Sequence, residues 1–180
     1  MKKGGFLLLT NHTIFDTIIM MIKTFKEGDD INKMRIGKED YYMGIAEAVS
    51  ERSTCLRRHY GAVIVKNDEI IATGYNGAVR GEPNCCDTGI CRRKGHEHND
   101  GDYSDCPAVH AEQNALISAS RKDTIGATLY LYGWDCKENK VISAEPCPIC
   151  SRMLLNAGIT RWNCSCECEE NKRKEDGYND

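Results

Sequence analysis

The sequence predicts a single α/β domain in which helices alternate with short β-strands. The chain has 180 residues, of which 41% are hydrophobic, and this is enough to bury one core. Apolar residues recur at helical spacing in three segments, and shorter runs suited to strands lie between them. We expect the domain to span residues 38–163, after an N-terminal extension (residues 1–37) and before a charged, disordered tail (residues 164–180).

Each element of this domain has its own pattern. The first helix is predicted where apolar side chains recur after two acidic residues, Glu39 and Asp40, which favour a helix N-terminus. A tight turn at Asn67-Asp68 predicts a β-hairpin. The predicted helices are residues 38–53, 110–120 and 149–156, and the predicted strands are residues 61–66, 69–73, 127–132 and 159–162. Residues 74–107 are rich in Gly and charge and predict a long functional loop, and residues 133–144 predict a polar connection.

Two motifs that are far apart in the sequence contain the predicted metal-binding and catalytic residues. His110, Cys147 and Cys150 offer one imidazole and two thiolates, a soft ligand set that suits zinc. Three protein ligands leave the fourth tetrahedral position for water, as in catalytic zinc sites. Glu112 lies two residues after His110, so its carboxylate can reach that water without binding the metal.

Both motifs are predicted at helix N-termini. Pro148 suits the first turn of the third helix, and His110 begins the second. The N–H groups at helix N-termini favour negatively charged thiolate and hydroxide. A Cys-x-x-Cys pair alone would also fit a structural zinc knuckle, but H-x-E followed by P-C-x-x-C resembles the motif pair of zinc nucleobase deaminases.

Further motifs make the resemblance more specific. Residues 53–65 (STCLRRHYGAVIV), 74–77 (GYNG) and 106–116 (CPAVHAEQNAL) resemble, in this order, the deoxycytidylate (dCMP) deaminase family, and the likeness covers about residues 40–160. The resemblance implies a cytidine-deaminase-like three-layer α/β/α fold with a mixed β-sheet. It also implies zinc-dependent hydrolysis of dCMP to dUMP and ammonia, regulation by dCTP and dTTP, and a homo-oligomer, usually a hexamer.

The resemblance also suggests roles for individual residues. Glu112 would move protons between water, ring nitrogen and leaving amine. Asn76 resembles the amide that contacts the sugar, with a left-handed turn residue as the alternative. Ala111 resembles a residue whose backbone contacts the pyrimidine, with helix packing as the alternative. The candidates for binding the 5′-phosphate, each of which could instead be a solvated side chain, are Arg57, Arg58 and Arg80.

A second group of cysteines suggests a structural zinc. Some members of the family carry such an ion in this region, and it would stabilise the long loop. The alternative is that these cysteines are free and buried. The predicted ligands are Cys55, Cys85 or Cys86, Cys91 and Cys106, with His96 and His98 as substitutes.

Composition excludes some functions. The net charge is −3 with acidic and basic residues interspersed, so nonspecific binding to nucleic acid or to a membrane surface is not expected. The apolar runs within residues 1–33 are interrupted by polar residues and predict neither a membrane anchor nor a cleavable signal. Eleven cysteines with metal-like neighbours suggest the reducing cytoplasm rather than a disulfide framework.

Two departures from the family keep alternatives open. Val79 stands where family members commonly have Pro, and the sequence from Asn163 onward becomes Cys-rich and charged instead of hydrophobic. The alternatives are a deaminase of another cytosine or adenine substrate, and a catalytically inactive zinc-binding module. Retention of Glu112 argues against the inactive module, and a panel of substrates would distinguish the deaminases.

Overall fold

The computed structural model describes residues 35–96 and 103–166. Most of the predicted N-terminal extension, residue His98, and residues 167–180 of the predicted tail lie outside the described residues. The helices and strands all belong to the unit Gly37–Asp180. Among the described residues, no helix has both the length and the apolar character needed to cross a membrane.

Twelve elements follow one another along the described chain. The helices are α1 (Lys38–Ser50), α2 (Cys85–Thr88), α3 (Ala111–Ser118), α4 (Arg121–Thr124) and α5 (Pro148–Asn156). The strands are β1 (Arg58–Lys66), β2 (Glu69–Tyr75), β3 (Gly77–Ala78), β4 (Ala108–Val109), β5 (Thr128–Asp135), β6 (Lys140–Val141) and β7 (Arg161–Cys164).

A mixed sheet forms the centre of the fold. Strand β1 pairs with β2 on one side and β5 on the other, both antiparallel. Beyond β5, strand β7 pairs in parallel with its first half and β6 pairs antiparallel with its second half. Residues 61–65 of β1 are buried because this part of the strand is covered on both faces, so its sequence reads as a continuous apolar run.

Helices cover both faces of this sheet, which confirms the three-layer α/β/α prediction. Alternate residues of a strand point to opposite faces. Val63 and Val65 pack with Tyr42 and Ala46 of α1. On the other face, Ile64 and its neighbours pack with α3 and α5 in a core of Ala62, Ile64, Ala72, Ala111, Ala115, Ala127, Leu129, Leu131, Ala144, Leu154 and Ile159.

The structure corrects two predictions. The segment 74–107 is not structureless, because it contains α2 and because β3 pairs with β4 just before His110. The segment 133–144 is not simply a polar connection: β5 continues to Asp135 and β6 pairs with its end. Strands β3 and β4 are distant in sequence, and β6 is only two residues long, so local hydrophobic periodicity reveals neither pairing.

Two glycines allow helices to approach the sheet unusually closely. A Cβ at Gly74 would lie 2.3 Å from the carbonyl oxygen of Ala111 and the backbone nitrogen of Ala115, both in α3. A Cβ at Gly61 would lie 2.0 Å from the carbonyl oxygen of Ala46 in α1. Neither contact can be relieved by turning a side chain, because the opposing atoms belong to the backbone. Gly74 therefore determines how close α3, and with it His110, comes to the sheet.

We expect Gly74→Ala to lower the free energy of unfolding by about 3 kcal/mol, the upper end of what overpacking costs in a tightly packed interior. The matched control is Gly44→Ala in α1, where an added Cβ meets nothing within 4 Å. That control should be neutral or stabilise by up to about 1 kcal/mol, because Ala favours helix. Urea denaturation of both variants measures the difference, and equal stability would contradict the role of Gly74.

Candidate active site

Two helix starts bring the candidate metal ligands together. His110 is the N-cap of α3 and Cys147 is the N-cap of α5, both with extended backbone. Pro148 follows Cys147, and the Cys147 sulfur accepts a hydrogen bond from the backbone N–H of Cys150 at 3.4 Å. At the other helix, the Gln113 side chain accepts a hydrogen bond from the backbone N–H of His110 at 3.0 Å. Each ligand is thus held by the first turn of its own helix.

The three ligand atoms have the spacing that zinc requires. His110 Nδ1 lies 3.7 Å from the sulfur of Cys147 and 3.4 Å from that of Cys150. Tetrahedral zinc, with bonds of about 2.3 Å to sulfur and 2.0 Å to nitrogen, places a nitrogen and a sulfur about 3.5 Å apart. This trio is the one group of three or more such ligand residues, among the described residues, whose ligand atoms all lie within 4.8 Å of one another. The donor set and its dimensions fit zinc.

Proton sharing between the two thiols shows why a cation suits this site. The pKa of Cys147 is lowered to about 3, chiefly because the Cys150 thiol hydrogen bonds to its sulfur. The pKa of Cys150 is raised, because that same hydrogen bond retains its proton and because the side chain is buried. The pKa of His110 is raised mainly by its hydrogen bond to Cys147. The lowered pKa of Cys147 favours its thiolate, and a divalent cation would take the place of the proton that the two sulfurs share.

Glu112 lies beside this group and is 4% exposed. Burial is the main reason that its pKa is raised, because a low-dielectric environment disfavours the charged carboxylate. It also interacts with the Cys150 thiol. A buried carboxyl group with a raised pKa can both accept and return a proton near neutral pH, as general acid–base catalysis requires.

A cleft opens above these residues, with about 790 Å³ of space including its mouth. It is lined by side chains from β1, β5, the segment before β4 and the two helix starts. Its walls include three arginines and two carboxylates, the latter being Glu112 and Glu145. The cleft therefore combines a metal-binding floor with positive charge, which suits a small polar substrate with an anionic group.

Asn76 lines the cleft but also ties its wall together. Its Oδ1 accepts hydrogen bonds from the backbone N–H of Tyr60 at 2.8 Å and from the Ser53 hydroxyl at 2.6 Å. Its Nδ2 donates to the Arg58 carbonyl at 2.9 Å. Asn76 is not among the residues with positive φ, so the alternative interpretation as a left-handed turn residue is wrong. Ala111 is completely buried and also lines the cleft.

The three arginines predicted from the sequence have different positions. Arg57 lines the cleft and donates to the carbonyls of Arg93 and His96 at 2.8 and 2.7 Å. Arg58 also lines the cleft, and its Nε forms an ion pair with Asp135 at 3.2 Å. Arg80 is exposed and is not part of the lining.

The sequence-based analysis missed several residues of the cleft. Arg93 is 8% exposed, its guanidinium lies 4.2 Å from the centre of the Tyr103 ring, and the Tyr103 ring meets the His110 ring edge-on at 5.3 Å. Tyr60, Leu131 and Glu145 also face the cleft. No local motif identifies Arg93 or Tyr103, although a buried arginine in a loop predicted to be functional was a usable indication.

The predicted second group of cysteines is only partly assembled. Burial raises the pKa of Cys85, and the next causes are the charges of Cys55, Cys106 and Cys91, so these sulfurs are neighbours. Cys55, Cys91 and Cys106 line the cleft as well. Within the described residues, however, these four do not meet the 4.8 Å spacing of the His110 group.

A buried carboxylic acid beside a His-Cys-Cys zinc group, on an α/β/α sheet, defines the class of zinc-dependent deaminases. Residues 36–166 match the family described as "Cytidine and deoxycytidylate deaminase zinc-binding region", and the chain belongs to this family.

Individual relatives are dCMP deaminases. The chain is 42% identical over 129 residues to the deoxycytidylate deaminase of Mycobacterium phage D29, covering 68% of this chain and 90% of the relative. It is 38% identical over 130 residues to the deoxycytidylate deaminase of Saccharomyces cerevisiae, covering 71% of this chain but 37% of that protein. The chain thus spans little more than a third of that yeast enzyme.

A solved structure confirms the expected fold. The crystal structure of dCMP deaminase from the cyanophage S-TIM5, in complex with dCMP and dUMP, matches with a TM-score of 0.51 and 33% identity. The match covers 72% of this chain and 81% of that chain. The cytidine-deaminase-like architecture inferred from separated motifs is therefore correct.

We expect Cys150→Ser to lose at least 10-fold in zinc affinity, because Cys150 is completely buried and adjoins both other ligands. The control is Cys166→Ser, which replaces an exposed cysteine. Zinc retained against a competing chelator, measured by atomic emission, distinguishes the two. Equal retention would contradict the assignment of Cys150.

Proposed function

We propose that this protein catalyses the zinc-dependent hydrolytic deamination of dCMP to dUMP and ammonia in pyrimidine deoxynucleotide metabolism. The observation that carries the proposal is the placement of buried Glu112 beside the His110, Cys147 and Cys150 atoms at the floor of an arginine-lined cleft. Membership of the deaminase family and the likeness to dCMP deaminases support the choice of substrate.

Three residues of the site are proposed to bind zinc, and a fourth, Glu112, is proposed to transfer protons. Zinc, when bound by His110, Cys147 and Cys150, supplies Lewis-acid activation of a water molecule. Glu112 accepts a proton from the attacking water and delivers it to ring N3, which makes C4 more electrophilic. Glu112 next takes the second proton, from the new C4 hydroxyl, and gives it to the departing amine. The C4–N bond then breaks, which leaves the C4 carbonyl of dUMP and free ammonia. Burial raises the pKa of the Glu112 carboxyl, which favours its role as a carrier that takes up and returns protons.

The rest of the cleft recognises the nucleotide. Ala111 is the first residue of α3, where backbone N–H groups lack partners within the helix, and its backbone is proposed to contact the pyrimidine. Asn76 keeps a second Nδ2 hydrogen that can reach the sugar, while its other bonds hold β1 against β2. Arg57 and Arg58 line the cleft and add to its positive charge, whereas exposed Arg80 is not part of its lining.

The proposal includes a second, structural zinc held by Cys55, Cys85, Cys91 and Cys106. The support is the electrostatic proximity of these thiols to one another and their position on the segment that walls the cleft. A closed four-thiolate shell would require the loop side chains to bring these sulfurs closer together. Cys86, the alternative ligand, is exposed. His96, a proposed substitute, is also exposed.

If this second site exists, wild-type protein should bind about two zinc ions and Cys91→Ser about one, with the remaining ion retained at the His110 group. Cys136→Ser, a change outside the proposed ligand set, should leave about two. Zinc-to-protein ratios after gel filtration measure this. One ion in both the wild type and Cys91→Ser would contradict the second site.

Three wider properties belong to the same proposal. We place the enzyme in the cytoplasm, because thiolate ligands need reducing conditions and the ten described cysteines are all free. Regulation by dCTP and dTTP and assembly into a homo-oligomer are proposed from the family resemblance. Residues 38–163 are proposed to be the catalytic domain.

Glu112→Gln tests the mechanism directly. The amide keeps the shape of the carboxyl group but cannot carry the proton, so we expect kcat to fall at least 100-fold with zinc content unchanged. The control is Glu138→Gln at an exposed turn, which should retain full activity. Ammonia release from dCMP and the change in ultraviolet absorbance measure turnover.

The same assay separates the proposal from its alternatives. Preference for cytidine or adenosine substrates over dCMP would identify another deaminase. Absence of ammonia from every pyrimidine tested, with folded and zinc-loaded wild type, would identify an inactive zinc-binding module.

A further inference from the structure

The cleft contains a cation that neither the motifs nor the proposed mechanism assigns. Arg93 is almost completely buried, yet it lines the cleft that holds the metal group. Its guanidinium stacks on the face of Tyr103, and the edge of that ring system adjoins the ring of His110. Tyr103 therefore contacts both Arg93 and the metal-binding imidazole, and all three side chains line the cleft.

We propose that Arg93 is the residue that binds the 5′-phosphate and so selects nucleotides over nucleosides, with Arg57 as its positioning residue. This inference rests on the proposed deamination of dCMP and deepens it. A guanidinium placed over an aromatic ring is held there by cation–π attraction, and its planar fork of N–H donors suits phosphate. Charge–charge attraction is also stronger in a buried cleft than at the surface, because water screens it less.

Two more arginines, Arg57 and Arg58, line the cleft. Arg58 forms an ion pair with Asp135. Arg57 holds the carbonyls of Arg93 and His96 with two guanidinium nitrogens. These bonds fix the backbone from which the Arg93 side chain extends. Arg57 thus acts on the phosphate through Arg93.

The test compares kcat/KM for dCMP and for deoxycytidine with the full-length, zinc-loaded protein. Wild type should prefer dCMP strongly. Arg93→Gln should lower kcat/KM for dCMP about 10- to 100-fold, mostly by raising KM, because a charge-assisted contact to the phosphate is lost. The same variant should change kcat/KM for deoxycytidine less than about 3-fold, because deoxycytidine has no phosphate to contact. A purely structural defect would lower kcat/KM equally for the two substrates.

Three further variants test the roles assigned to Arg93 and Arg57. Arg92→Gln removes an exposed neighbouring arginine and should behave as wild type. Arg57→Gln should raise the KM for dCMP with a smaller effect than Arg93→Gln. Arg93→Lys keeps the charge without the fork and should fall between wild type and Arg93→Gln. If Arg93→Gln does not fold, Arg93→Lys decides the question by the same ratio.

Binding of dUMP and deoxyuridine, measured by calorimetry, provides a readout that does not need turnover. Wild type should bind dUMP more tightly than deoxyuridine, and Arg93→Gln should lose most of this difference. An unchanged difference in the variant, or none in wild type, overturns the inference. Absence of turnover in wild type overturns the proposed function instead, and the binding comparison still judges Arg93.

Discussion

The close packing of α3 against β2 is the constraint on which the site depends. It is possible because Gly74 has no side chain, so backbone atoms of the helix lie where a Cβ would otherwise stand. The Asn114 side chain adds a hydrogen bond to the Tyr75 carbonyl at 2.7 Å, which ties the helix to the end of the strand. The start of α3 carries His110 and Glu112, so an error in helix position would become an error in catalytic geometry.

The remaining metal ligands are positioned by a different helix, α5. Cys147 and Cys150 occupy the start of α5, which packs on the same face of the sheet as α3 through Leu154 and Ile159 nearby. Strand β7 follows α5 and pairs in parallel with β5, and this pairing holds the helix across the sheet face. The metal group therefore joins two helices that are separated by residues 119–147, and metal binding would stabilise the fold as well as support the chemistry.

The loop before β4 forms one wall of the cleft. Arg57 on the approach to β1 holds the loop by two carbonyls, and Tyr103 brings the loop against the imidazole of His110. Cys55, Cys91 and Cys106 line the cleft in the same region. The wall is thus built from polar, aromatic and thiol groups rather than from a hydrophobic core, and a bound ion or substrate would contribute to its order.

The sequence by itself determined the α/β class, the three metal-site residues and Glu112. These depend on short-range spacing: a ligand and an acid two residues apart, two cysteines in one helical turn, and apolar repeats that distinguish helix from strand. Only the tertiary structure decided which arginines face the cleft, that Asn76 ties β1 to β2, and that β3 pairs with β4. Those relations join residues far apart in the chain, where local patterns carry no distance information, and burial and pairing alone set them.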